Sequence, residues 1–184
     1  MMRIVPCNDA ALDEAAAVLN AGGVAVIPTD TVYGLAAHPG FPDAVERLYT
    51  IKGRESGKKI ALLASDAAAV ETFGFPLPEK AAQLASRHWP GALTMVLGDE
   101  GFRVPDHDWT RRLLAKCGGV LRVTSANLSG GSPATDAPQA LADVGLSADL
   151  VVDDGVSPGG VASTVVRVCA DSGIDVLRKG AIEI

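Results

Sequence analysis

The stretch V-A-V-I-P-T-D-T-V-Y-G-L, Val24 to Leu35, decides how this chain folds. Val24 to Ile27 are four apolar residues bounded by Gly23 and Pro28, and they predict a short buried strand. Pro28 has no N–H to give to a ladder, so pairing should weaken there. Thr29, Asp30 and Thr31 follow at once, then Tyr33 and Gly34. A buried strand opening into a polar loop is where open α/β sheets place ligands. The plainer reading is a strand and a polar turn, and the remainder of the chain has to separate the two.

With 184 residues the chain fits a single domain, 1–184, large enough to bury a real core. Hydrophobic residues make up 48%, but aromatics only 4%, so Val, Leu, Ile and Ala must build that core. There is no apolar run of membrane-spanning length, and M-M-R-I-V-P-C-N-D lacks the shape of a signal peptide. Cys7, Cys117 and Cys169 form no metal or disulfide pattern, which points to a reducing, cytoplasmic location. His38, His88 and His107 show no metal-ligand spacing either, so no protein metal site is expected.

The net charge of −6 argues against a chain whose main task is gripping nucleic acid, and weak or no direct RNA binding is expected. Ile51 to Ile60, I-K-G-R-E-S-G-K-K-I, nevertheless carries four cations and one anion. Such a cluster on an acidic chain suits a small anionic ligand, although a solvated turn is the usual meaning of such a run.

Outward from Val24, strands and helices interleave. Strands are predicted at Arg3–Val5, Tyr33–Ala37, Ile60–Ala64, Ala92–Leu97, Gly119–Val123 and Leu150–Val152, a turn at Gly98–Gly101 leads into Phe102–Pro105, and Thr164–Val168 with Ile174–Leu177 form a hairpin around D-S-G. A helix capped by Asn8 or Asp9 should run to about Ala21, burying Leu12, Ala15, Ala16 and Leu19. Pro42 should start a second, with Val45, Leu48 and Ile51 inward and Gly53 as its stop. Further helices are expected from a Ser65 cap to Phe73, from Pro78 to Arg87, from an Asp108 cap to Lys116, and from Asp136 to about Val144. The class is therefore α/β, and the late hairpin makes the sheet mixed. T-S-A-N-L-S-G-G-S, Thr124 to Ser132, reads as a polar loop. Lys52 with Arg54, Lys58, Arg103 and Arg178 stand near strand or helix ends, where convergence on one anion is conceivable but not fixed by local spacing.

The P-loop pattern, the dinucleotide fingerprint and the G-x-S-x-G elbow are all missing, so a bound nucleotide would be held by side chains and short loops. Seven segments in order carry a resemblance: P-T-D-T-V-Y-G-L, K-G-R with Lys58 four residues on, W-P-G-A-L-T, R-V-P-D-H, T-S-A-N-L-S-G, S-T-V-V and L-R-K-G-A-I. Together they resemble the YrdC family of threonylcarbamoyl-AMP synthases, from about Leu12 to Ile182, in its short bacterial form. The resemblance implies a twisted open mixed sheet, flanked by helices and curled around a deep cleft. It implies an enzyme, a nucleotidyltransferase, that makes L-threonylcarbamoyl-adenylate from L-threonine, bicarbonate and ATP with release of pyrophosphate. That product would supply a separate tRNA threonylcarbamoyl-transferase complex, which modifies adenosine 37 of tRNA.

By the same resemblance Lys52, Arg54, Ser125 and Asn127 are the catalytic set. Arg54, Lys58, Ser125, Asn127 and Arg178 are expected on ATP, and Thr31, Arg103 and Ser163 on threonine. Arg103 suits a two-bond grip on the substrate carboxylate. Mg2+ would arrive with ATP, held by phosphates and water. Without the resemblance, Lys52 and Arg54 read as helix C-terminal cations, Ser125 and Asn127 as loop formers, and Arg103 as half of a surface ion pair; with it, the functional readings lead.

Three positions depart from the family pattern. Glu55 replaces the usual Pro, Asp99 falls where longer members carry Thr, and Arg122 stands where a small or apolar residue is usual. Arg122 either reaches into the cleft or pairs with a buried carboxylate. The alternatives are a paralogue of the same fold with another substrate, and a non-catalytic RNA-binding module.

Overall fold

The computed structural model describes residues 2–55 and 57–184. Ten strands form one sheet: β1 (Arg3–Pro6), β2 (Val24–Ile27), β3 (Gly34–Ala37), β4 (Leu62–Ala64), β5 (Leu93–Leu97), β6 (Glu100–Arg103), β7 (Val120–Ser125), β8 (Leu150–Asp153), β9 (Thr164–Val168) and β10 (Ile174–Arg178). Their order is β1-β8-β2-β3-β7-β4-β6-β5-β9-β10. The sheet is mixed: the pairs β1/β8, β8/β2, β4/β6 and β5/β9 are parallel, and β2/β3, β3/β7, β7/β4, β6/β5 and β9/β10 are antiparallel. The helices are α1 (Asp9–Asn20), α2 (Pro42–Lys52), α3 (Ala67–Thr72), α4 (Glu79–His88), α5 (Asp108–Lys116) and α6 (Ala137–Asp143), followed by a 3-10 turn at Gly145–Ser147.

All four residues of β2 are buried because the strand is covered on both faces. Ala25 and Ile27 pack in a cluster with Leu12 and Leu19 of α1 and Leu113 of α5. Val24 and Val26 point the other way, into a cluster with Leu48 of α2 and Ala140 of α6. A third cluster, with Leu62, Met95, Phe102 and Val166 from the strands and Val70 and Leu84 from α3 and α4, covers the other half of the sheet. Each fully buried Leu or Val side chain contributes about 1.5–3 kcal/mol, so these alternating residues fix the register of β2.

Several expected boundaries move. The strand foreseen from Ile60 begins at Leu62. Ile60 gives its N–H to the Tyr49 hydroxyl at 3.2 Å and its carbonyl to Arg122 at 2.8 Å, so side chains take the place of a ladder. The strand foreseen to end at Val123 continues to Ser125, because Thr124 and Ser125 pair with Leu35 and Gly34. Thr124 and Ser125 therefore belong to strand rather than loop.

Asp66, not Ser65, caps α3: its Oδ1 accepts from Ala69 N–H at 2.8 Å. His107, not Asp108, caps α5 through Nδ1, and Asp108 occupies the first turn, where its charge favours the helix N-terminus. The inward stripe of α2 is Ala44, Leu48, Tyr49 and Lys52, while Val45 and Ile51 are only half-buried. Gly53, in the left-handed region at φ 62°, ends that helix as foreseen. The three cysteines are free. Among the described residues no helix is long and apolar enough to cross a membrane.

Candidate active site

A cleft of about 1220 Å3 opens against the middle of the sheet. Thr31, Lys52, Arg54, Lys58, Arg103, Ser125, Asn127, Ser163 and Arg178 all border it, so every residue chosen from sequence reaches one cavity. Chain segments far apart in sequence deliver them: the loop after β2, the end of α2, the ends of β6, β7 and β10, and the approach to β9.

The loop after β2 is held internally. Thr29 Oγ1 donates to Val32 O at 2.6 Å and accepts from Thr31 N–H at 3.1 Å. The chain between β8 and β9 clamps it from outside, since the N–H groups of Gly159 and Gly160 donate to the carbonyls of Asp30 and Thr31 at 3.0 and 2.8 Å. A Cβ on Gly159 would sit 2.6 Å from Asp30 O, so only glycine permits this approach. Behind the loop, Tyr33 donates its buried hydroxyl to Gly155 O at 2.7 Å and accepts from Asp154 N–H at 2.9 Å. Burial pushes its phenol up to about 12, so Tyr33 is a strut.

Arg103 is 5% exposed and anchors the same loop. One terminal nitrogen donates to Asp30 Oδ1 at 2.8 Å and to Gly91 O at 3.3 Å, and the other to Thr31 Oγ1 at 3.0 Å and Thr29 Oγ1 at 3.3 Å. A two-bond grip on a substrate carboxylate is therefore at odds with this structure: both terminal nitrogens already have acceptors. Burial pulls the guanidinium below its usual range, and the neighbouring Asp30 carboxylate opposes that shift. Arg178 reaches the same end of the cleft and donates to Ser163 O at 2.8 Å and Ser163 Oγ at 3.2 Å. Ser163 Oγ also meets Thr94 Oγ1 at 2.7 Å.

At the other end, Lys52 leaves α2 on its buried stripe and is 4% exposed. Its ammonium donates to the carbonyls of Ser125 and Asn127 at 2.6 and 2.7 Å, with Ser125 Oγ at 3.5 Å. Burial, helped by the Arg54 charge, pulls it down to about 8. Asn127 donates from Nδ2 to the carbonyls of Leu128 and Gly131 at 2.8 and 3.0 Å. Those two bonds fix the amide, and its buried Oδ1 has no partner among the described residues. Arg54 donates to Lys58 O at 3.0 Å, and the Tyr49 hydroxyl donates to the same carbonyl at 3.3 Å.

Two of the three departures from the family pattern, Asp99 and Arg122, join one network. Arg122 makes a fork to Glu100 at 2.5 and 2.9 Å, which settles its alternatives in favour of a buried carboxylate, as Glu100 is 6% exposed. Lys59 bridges Asp99 at 2.6 Å and Glu100 at 3.1 Å. Glu55 is exposed.

Sequence reading missed Asp30 as the partner of Arg103, Tyr49 as the pin of the basic loop, and Thr94 beside Ser163. Thr94 carried a signal, being the polar residue of the alternating strand A-L-T-M-V-L.

Magnesium carried by ATP suits these donors. Asn127 Oδ1 and Ser125 Oγ are uncharged oxygens, so the ion would keep phosphate and water as its main ligands.

A family model named for Sua5, YciO and YrdC, and described as telomere recombination, matches residues 17–180. The threonylcarbamoyl-AMP synthase of Bacillus subtilis (strain 168) is 37% identical over 190 residues, covering 95% of this chain and 55% of the relative. A putative threonylcarbamoyl-AMP synthase of Mycobacterium tuberculosis (strain CDC 1551 / Oshkosh) is 33% identical, covering 91% of this chain and 83% of the relative. Pyrococcus abyssi Sua5, solved in complex with L-threonine, superposes with a TM-score of 0.88 at 28% identity, over 98% of this chain and 57% of that one. This chain thus spans little more than half of the Bacillus and Pyrococcus proteins.

Proposed function

The chain belongs to the Sua5/YciO/YrdC family, and from that premise we propose that it makes L-threonylcarbamoyl-adenylate from L-threonine, bicarbonate and ATP. The observation that carries the reading is the convergence of all nine motif residues on one cleft, with room for both substrates and cations at both ends.

The amine of threonine bonds to the carbon of bicarbonate and water leaves, giving a carbamate. A carbamate oxygen then attacks the α-phosphorus of ATP, and the bond to the β-phosphate breaks to release pyrophosphate. Negative charge builds on the phosphate oxygens, and no covalent enzyme intermediate is needed. Positioning and fixed positive charge suffice. Arg54 and Lys58 supply charge at the end where Ser125 and Asn127 would meet the nucleotide. Lys52, through two carbonyls, holds that segment in place. A donor on the nucleotide, such as a ribose hydroxyl, would satisfy Asn127 Oδ1.

Thr31 and Ser163 border the amino-acid end, with Arg103 as the brace behind it; Arg178, expected on ATP, donates to Ser163 and so stands between the amino acid and the phosphates. A hydroxyl of threonine there would join the Thr94–Ser163 pair. The product would pass to a tRNA threonylcarbamoyl-transferase complex acting on adenosine 37.

Pyrophosphate release tests this reading. It should require ATP, magnesium, L-threonine and bicarbonate together; equal release without threonine would refute it.

A further inference from the structure

The loop that carries Arg54 and Lys58 is closed at both ends by one side chain standing behind the cleft, and we propose that this residue, Tyr49, is a positioning residue for the phosphates of ATP. The role rests on the assignment of this end of the cleft to ATP and adds to it a group that touches no substrate. Tyr49 is 8% exposed and belongs to the buried stripe of α2.

At the entry of the loop, Arg54 N–H donates to Tyr49 O at 3.0 Å, just past the left-handed Gly53 that ends the helix. At the exit, the Tyr49 hydroxyl accepts from Ile60 N–H at 3.2 Å and donates to Lys58 O at 3.3 Å. Lys58 O also accepts from a terminal nitrogen of Arg54 at 3.0 Å. One tyrosine therefore joins both cations. Its carbonyl holds the main chain of Arg54, its hydroxyl holds the carbonyl of Lys58, and that carbonyl aims the Arg54 guanidinium.

The loop needs such a clamp. A Cβ at Gly53 or Gly57 would meet no described atom within 4 Å, so packing gives these points little support. Ile60 is 2% exposed, and side chains from two elements take its main-chain groups: Tyr49 of α2 its N–H, Arg122 of β7 its carbonyl at 2.8 Å. Lys58 thus leads straight into a fixed residue, and its ordering cost falls on folding rather than on ATP binding. Without the hydroxyl, Ile60 N–H is a buried donor with no acceptor, and the segment shifts toward water, taking Lys58 with it. The threonine end is held by other groups, Arg103 on Thr31 and the N–H groups of Gly159 and Gly160 on the loop after β2. The effect of Tyr49 is therefore confined to the phosphate end.

Tyr49→Phe keeps the ring and removes only the hydroxyl. Calorimetry on this variant and the unaltered chain compares three probes: ATP with magnesium, inorganic tripolyphosphate, and L-threonine. The variant should bind ATP and tripolyphosphate about 3- to 10-fold more weakly, with L-threonine affinity within about twofold of the unaltered chain. A lower melting temperature with unchanged affinity for both phosphate probes would make Tyr49 a structural residue only and overturn the proposal. Equal weakening of ATP and L-threonine would overturn it as well, since the damage would then not be confined to the phosphate end. No binding of ATP or tripolyphosphate by the unaltered chain would overturn both the positioning role and the assignment of this end to ATP, which separates that failure from the other two.

Discussion

Six cations in and beside the cleft fall into two groups that differ in what they touch. Arg103, Arg122 and Lys59 each meet a carboxylate: Asp30, Glu100, and Asp99 with Glu100. Lys52, Arg54 and Arg178 meet neutral oxygens, nearly all main-chain carbonyls. A cation beside a carboxylate is largely cancelled as a source of field, and its chief effect is to join two strands or a strand and a loop. A cation beside a carbonyl keeps its charge and is aimed by it. The positive field in the cleft therefore comes from the second group with Lys58 and Arg167, while the first group fixes the shape of the space they act in.

The largest test of this division is Arg103→Ala. It leaves the Asp30 carboxylate, only 12% exposed, without its partner, and breaking a buried pair costs about 3–5 kcal/mol. Denaturant unfolding should show that loss with or without ligand. A change below about 1 kcal/mol, the range of an exposed pair, would remove Arg103 from the shaping group.

Lys58 and Lys59 make the sharpest pairwise comparison, being adjacent in sequence and on opposite sides of the division. Lys58→Ala should weaken ATP binding roughly 10- to 150-fold, the worth of a charged hydrogen bond of about 1.5–3 kcal/mol. Lys59 is already neutralised, and Lys59→Ala should change ATP affinity by less than about threefold. Titration of both variants with ATP decides it, and equal losses would merge the two groups.

The smallest effect concerns Lys52, whose ammonium burial pulls down to about 8 against a free value near 10.4. Between those values the unfolded chain holds a proton that the folded chain has released. This group's contribution to stability therefore rises as pH increases through that window and is least below pH 8. ATP affinity should move the opposite way, declining by a few-fold as pH passes about 8 and the charge disappears. Lys52→Met should abolish the step in an ATP titration repeated across pH. A step of the same size in that variant would assign it to another group.

Much of this division was out of reach of the sequence. The apolar run Val24–Ile27, the α1 stripe and the late hairpin were legible, because local periodicity encodes them. So was the set of residues that borders the cleft, because short motifs carry it. Partners were not legible: Asp30 and Arg103 are joined by a register set through β4 and β7, and Thr94 meets Ser163 only because β5 and β9 pair in parallel. The caps shifted by one residue where two adjacent side chains were each able to cap, as at Ser65 and Asp66. In the structure β4 starts only at Leu62, and it is Asp99 and Glu100 that set Lys59 apart.

Gly159 gives the clamp over Asp30 and Thr31 a consequence for anyone reading a library of variants. It is exposed and lies in a connecting segment, the kind of position where most substitutions are tolerated. Because Asp30 O occupies the place of its missing Cβ, every other residue has to force the two segments apart. In a deep mutational scan this surface position should show the intolerance usually reserved for the interior, with alanine as poorly accepted as larger residues.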